Sequence, residues 1–278
     1  ACTDAPAREA GRVLLGAEAR LGDGSVRTFA RLGDEGAPLA LGVVFPADVL
    51  GSLPRERTDT HRCFDLDGDG AIESDTECLS NHERVLPLPS DVSRRPDIPF
   101  KWVLLNWNPV GHIPPHVYDR PHFDVHFYMD AIENAFALIP GPCGPELLRC
   151  DQFERAMRPV PSIYAPAEFR NVEAAVPAMG NHLIDVDGPE FHGTPFTRTW
   201  IYGAYDGRVT FWEEMVTLEF LASRPDRCFD LRTPQAYEIG GWYPTKVCYR
   251  HDAGTEEQAV TLEGFVRREA TLRVASGS

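Results

Sequence analysis

The chain has 278 residues, of which 43% are hydrophobic and 25% charged, and a formal net charge of −15. That length can bury the core of one large β domain or two small ones. The acidic balance and the lack of a basic patch with interleaved aromatics argue against nucleic acid or anionic lipid as partners, and no apolar run approaches the roughly 20 residues of a membrane span.

Taken in chain order, Cys2 stands directly behind Ala1, and a polar segment containing Pro and Ala follows. A mature bacterial lipoprotein begins this way, so residues 1–10 read as a lipoprotein-like tether; a free thiol at a terminus is the plain alternative. Residues 11–274 read as a single β-barrel-like domain. Its first part, 12–45, is a meander of short alternating runs broken by the turn signals "GDG" and "DEG". Residues 51–99 are polar and aperiodic, and read as a long insertion. Strand character returns over 100–139 in "KWVLLNWNPVGH", "HFDVHFYM" and "AFALIP". A Pro-rich stretch, 141–176, follows, with a short helix expected near 146–157. The stretch "RTWIYGAYDGRVTFWEEMVTLEFL" is the clearest hairpin, with Asp206-Gly207 at its tip, and "GWYPTKVCYRHD" and "AVTLEGFVRRE" supply two further strands. Strands do not alternate with helices, and no repeat, dinucleotide fingerprint, phosphate loop or G-x-S-x-G elbow occurs. The expected fold is mainly β: an antiparallel β-barrel or sandwich with loop and short helical insertions.

Seven cysteines include three short-range couples, Cys63/Cys78, Cys143/Cys150 and Cys228/Cys248. None has metal-knuckle or redox spacing, so three disulfides and an oxidising, extracytoplasmic compartment are expected. The first couple brackets "CFDLDGDGAIESDTEC". Asp65, Asp67 and Asp69 occupy positions 1, 3 and 5 of a calcium-type loop, with Gly70 at the turn. Thr76 stands where an EF-hand would carry its closing glutamate, so Asp75 or Glu77 would complete the shell around a structural Ca2+ ion. An acidic, solvated turn is the plain alternative.

Seven of the nine histidines lie between His82 and His192, and four fall within 15 residues: His112, His116, His122 and His126. In "PHFDVHFY" a period of two turns His122, Asp124 and His126 to one face, expected to line a cavity in the barrel, and Phe123, Val125 and Phe127 to the other, expected to pack outward under covering segments. His122 and His126 would stand ~13 Å apart along a flat strand, too far to share one ion, whereas Asp124 can share one with either neighbour. "MGNHLIDVDG" adds His182, Asp185 and Asp187, and "VTFWEEMVT" adds Glu213 or Glu214. A histidine satisfied by a backbone carbonyl in the core is the ordinary reading of any single one; the set reads as a centre for one transition metal (Zn, Fe, Mn or Cu). Its ligands would come from His112, His122, His126 and His182, with Asp124 and Glu213 as catalytic carboxylates. Trp107, Tyr128, Trp200, Tyr202 and Trp212 are candidate pocket walls or, more ordinarily, core.

The segments "NWNPVGHIPPHVYDRPHFDVHFYM", "MGNHLIDVDGPEF", "TWIYGAYDGRVTFWEEMVTLEFL" and "GWYPTKVCYRHD" together resemble a bacterial family of secreted proteins carrying a domain of unknown function. Its members share a G-H-x-P, P-H-F-D-x-H-F-Y and M-G-x-H-W-x-D series. The resemblance spans roughly residues 10–270 and implies a β-barrel-like fold without an established reaction. By position it marks His112, His122, Asp124, His126, His182, Asp185 and Glu213. Leu183 departs from the family's tryptophan, and Glu214 stands where proline is common. The functional expectation is an extracytoplasmic metalloenzyme acting on a small molecule; the alternatives are a metal- or ligand-binding envelope lipoprotein without turnover and a structural envelope protein. Contact with a membrane is expected only through lipidation at Cys2.

Overall fold

A computed structural model of the chain describes residues 11–65, 67–74, 77–79, 81–143 and 148–271. The expected tether with Cys2, and Asp75 and Thr76 of the acidic loop, lie outside the described residues. The strands are β1 (Arg12–Leu21), β2 (Gly24–Leu32), β3 (Pro38–Phe45), β4 (His82–Pro87), β5 (Trp102–Asn108), β6 (His122–Tyr128), β7 (Pro140–Cys143), β8 (Phe169–Val176), β9 (Gly180–Asp185), β10 (Arg198–Tyr205), β11 (Arg208–Thr217), β12 (Arg227–Asp230), β13 (Gly241–Tyr243), β14 (Lys246–Asp252), β15 (Glu257–Glu263) and β16 (Val266–Arg268).

Two antiparallel sheets form the body. One runs β1-β2-β3-β15-β14-β12, the other β4-β5-β6-β11-β10-β9-β8, and β13 and β16 make a small separate ribbon. The sheets stay open and pack as a sandwich, so the barrel expectation is corrected and the sandwich one holds. The reason lies in the inward residues of the meander. Leu41, Val43 and Phe45 of β3 meet Phe123, Val125 and Phe127 of β6 in one buried cluster, with Phe45 and Phe123 ring centroids 4.8 Å apart. Apolar faces that pair across two sheets close the core without closing either sheet on itself.

That packing corrects a second expectation. The aromatic face of "HFDVHFY" does not pack outward; it forms the floor between the sheets. The polar face looks away from the sandwich into a pocket on the outside of the seven-stranded sheet. Every residue of β6 is buried nonetheless, because the loop 111–118 and the segment around Phe191 and Phe196 cover that outer face. Trp107, Trp200, Tyr202 and Trp212 belong to the inter-sheet core, and Tyr128 packs against Trp102 and Phe211; none lines the pocket.

Other local differences have simple causes. "AFALIP" does not form one strand: Ile132–Phe136 is a short helix, and β7 begins at Pro140. The insertion 51–99 contributes β4, which pairs with β5, and the Pro-rich stretch contributes β8, an edge strand whose mostly exposed residues hide its periodicity. The expected helix near 146–157 is Cys150–Ala156. The hairpin forms as expected, β10 against β11 around Asp206 and Gly207, and "LEFL" turns into a helical segment, Leu218–Ala222. All three expected disulfides are present. They suit an oxidising compartment. Among the described residues no helix is long and apolar enough to cross a membrane.

Candidate metal centre

Four elements bring the site together. On β6, His122, Asp124 and His126 share the outer face. On β11, Glu213 stands directly opposite His126 in the antiparallel register. On β9, His182 is opposite Gly203 of β10. A side chain at Gly203 would collide with the Phe211 ring, 2.0 Å from where its Cβ would sit. Glycine there leaves room for Phe211, which packs under both His126 and His182 at centroid distances of 5.0 and 5.4 Å. His112 arrives from the loop after β5. Gly111 precedes it at φ +75°, with the Tyr118 carbonyl 2.2 Å from its missing Cβ, so glycine allows the loop to double back over the pocket.

The donors fall into two groups of three: His112, His122 and Asp124, and His126, His182 and Glu213. Within each group the ligand-capable atoms lie within 4.8 Å of one another. His112 Nε2 is 3.3 Å from Asp124 Oδ2, and His122 Nε2 is 3.1 Å from Oδ1. His126 Nε2 is 3.4 Å from Glu213 Oε1, and His182 Nε2 is 3.7 Å from Oε2. All these residues except His112 are buried.

One feature is common to the four histidines. Each points Nδ1 at a backbone carbonyl: His112 at Ile113 (2.7 Å), His122 at Arg120 (2.6 Å), His126 at Leu104 (3.0 Å) and His182 at Ala174 (2.8 Å). A carbonyl only accepts, so Nδ1 carries the proton and donates it. In a neutral ring Nε2 is then a bare lone pair, and here it faces a carboxylate. Lone pair against carboxylate is repulsive and costly in a buried site. His122 Nε2, Asp124 Oδ1, His126 Nε2 and Glu213 Oε2 are all buried without a hydrogen-bond partner. A proton shared between ring and carboxyl, or a metal ion between them, removes that conflict. Metal–ligand bonds of ~2.0–2.2 Å at a tetrahedral angle set ligand atoms about 3.4 Å apart, in the range of the observed contacts.

The titration behaviour of the groups follows from the same burial. Burial brings His126 and His182 down to about 4, so both are neutral near pH 7. Glu213 is pushed well above the ordinary carboxylate range by burial, then by the charges of Asp124 and Glu214. Burial also acts to raise Asp124, but His122 and His112 beside it hold it well below that range.

Of the two adjacent glutamates, Glu213 faces the pocket. Glu214 points between the sheets, where Arg198 grips both its oxygens at 2.6 Å and Tyr249 donates to it. Asp185 is outside the pocket and pairs with Arg232, and Asp187 joins no donor group among the described residues. His116 is exposed on the covering loop, beside Asp119.

Sequence reasoning missed Asn106 and Asn108. Asn108 Nδ2 donates to Asp124 Oδ2 at 2.8 Å and fixes the carboxylate. Asn106, opposite Asp124 in the register, lines the pocket with both amide atoms buried and unpartnered. The signal was present in "LLNWN", where two asparagines two apart interrupt an apolar strand. The pocket encloses about 480 Å³. Its remaining walls are chiefly apolar, among them Ile113, Val172, Ile184, Phe191 and Met215.

No protein-family model, curated protein or solved structure matches the chain. The site therefore has to be read from its own chemistry. Within the insertion, Asp65, Asp67 and Asp69 form a separate donor group, exposed to solvent, and Glu77 folds back to Asp67 and Glu73 in a further one. Asp65 already accepts from the Gly68 and Gly70 amides at 2.7 and 3.0 Å, the tight turn that the glycines permit.

Proposed function

We propose that this chain is an extracytoplasmic metalloenzyme that holds a transition-metal ion on His126, His182 and Glu213 and acts on a small molecule in the adjoining pocket. The observation that carries the reading is the common orientation of the imidazoles, each anchored through Nδ1 so that an Nε2 lone pair meets a carboxylate. Anchoring of the far nitrogen by a backbone carbonyl is how metal-ligating histidines are held in tautomer and orientation. Two imidazoles and one carboxylate suit zinc, iron, manganese or copper. Three protein ligands leave a coordination position open toward the pocket, which favours turnover over storage.

When bound, the ion supplies Lewis acidity and lowers the pKa of a water. The chain's own residues do the rest. Glu213 gives the charge that draws a cation into a buried site. Asp124, held ionised and pinned by Asn108, keeps a fixed negative charge on the pocket wall. Asn106 presents a free donor and a free acceptor to a bound molecule, and the apolar walls select a largely apolar body. The same reading extends to a structural Ca2+ ion on Asp65, Asp67 and Asp69, where three carboxylates at calcium-loop spacing lie inside the Cys63–Cys78 staple.

The test is the metal content of protein purified without chelator or nickel resin. His126→Ala and His182→Ala should each lose most of the metal bound by this triad and keep the wild-type circular dichroism. His251→Ala, at a position on β14 remote from the pocket lining, should keep it all. Equal metal in the four proteins would refute the site.

A further inference from the structure

We propose that the pocket holds two metal ions side by side, the second on His112, His122 and Asp124, so that the site is a dinuclear centre. This rests on the reading that His126, His182 and Glu213 hold the first. The second group repeats the first in composition: two imidazoles with Nδ1 anchored on a backbone carbonyl, and one carboxylate. Its N···O separations, 3.1 and 3.3 Å, are shorter than those of the first group and equally suited to two ligands of one ion.

Three further observations favour an ion here over a structural cluster. His122 Nε2 and Asp124 Oδ1 are buried and 3.1 Å apart, and their geometry falls short of an aligned hydrogen bond. Asn108 binds the other oxygen, Oδ2, which turns Oδ1 toward His122 and keeps it there. Finally, Asp124 and His126 are two residues apart on one strand face, ~6.6 Å along the strand, so one ion cannot draw on all four imidazoles but two neighbouring ions can. His112 and Asp124 line the same pocket as His126, His182 and Glu213, so one small molecule can reach both positions. The fitting ligand class is a small molecule with an apolar body and an oxygen-bearing head. Paired metals are suited to binding such a head, stabilising the attacking and leaving oxygens of a hydrolytic displacement.

The experiment is a calorimetric titration of the full chain with Zn2+. The protein is first stripped with chelator, with Cys2 alkylated, and the titration is run in excess Ca2+ so that the acidic loop does not compete. Wild type should take two equivalents, His122→Ala and His182→Ala one each, and the double variant none. One equivalent in wild type, or two in His122→Ala, would overturn the dinuclear centre and leave the one-ion reading intact. No binding at all would overturn both. Should His122→Ala fail to fold, His112→Ala, on a partly exposed loop position, provides the same comparison, and the wild-type stoichiometry decides without any variant.

Discussion

Replacing Glu213 by glutamine separates a metal ligand from a structural residue. Glu213 is 1% exposed, and its Oε2 has no hydrogen-bond partner. Its burial and the nearby charges of Asp124 and Glu214 raise its pKa, which means that its ionised form is a burden on the metal-free fold. Glutamine keeps the volume and removes the charge. In metal-free protein, Glu213→Gln should therefore unfold at a temperature no lower than wild type. Metal should then distinguish the two. An ion at 100 times its Kd stabilises the folded state by ~2.7 kcal/mol. For a domain of this size that raises Tm by roughly 5 °C, at ~2 °C per kcal/mol. Differential scanning calorimetry of chelator-treated and Zn2+-loaded protein should show that rise in wild type and little of it in Glu213→Gln. The reasoning is refuted if the substitution lowers the metal-free Tm by several degrees while the metal-induced rise stays as in wild type.

In metal-free protein His126 and His182 should each lower stability as the pH falls from 6.5 toward 4. Both are brought from 6.5 to about 4, so across that window these two positions bind more protons in the unfolded chain than in the folded one, while the raised Glu213 works in the opposite direction. Each histidine then costs up to ~3 kcal/mol at the acid end; urea unfolding at several pH values measures it, and a His126→Ala/His182→Ala variant should flatten the curve. Arg198→Leu should destabilise by ~3–5 kcal/mol because it leaves the Glu214 carboxylate unpaired between the sheets, and adding Glu214→Leu should restore most of that loss in the same assay. Chelator should open residues 60–80 to proteolysis; cleavage that ignores chelator would show that the acidic loop has no structural ion.

Much of the architecture was legible because period-two patterning and turn chemistry are local. The meander over 12–45, the hairpin at Asp206-Gly207 and the two faces of β6 follow from residues within a few positions of one another. Which side of β6 is inside could not be read so locally. It depends on β3 supplying Val43 and Phe45 as the opposing wall, a pairing of segments far apart in the chain. The same holds for the site. His122, Asp124 and His126 could be placed on one face from spacing alone, and their axial separation already spoke against a single ion for all. Their division into two triads needed the register that sets Glu213 against His126, and the side-chain-free gap at Gly203 beside His182. The choice between Glu213 and Glu214 was invisible because both are buried; only the partner of each, an imidazole or Arg198, tells them apart. Strands β4 and β8 escaped notice because short or half-exposed edge strands carry little alternation.

Anomalous diffraction from crystals of the full chain, grown without chelator and measured on either side of the absorption edge of the metal found in the protein, tests the central claim most directly. The account predicts an anomalous peak between His126 Nε2, His182 Nε2 and Glu213, and a second between His112, His122 and Asp124. Well-ordered imidazoles and carboxylates with no anomalous density between them, in crystals soaked with Zn2+ at neutral pH, would contradict it.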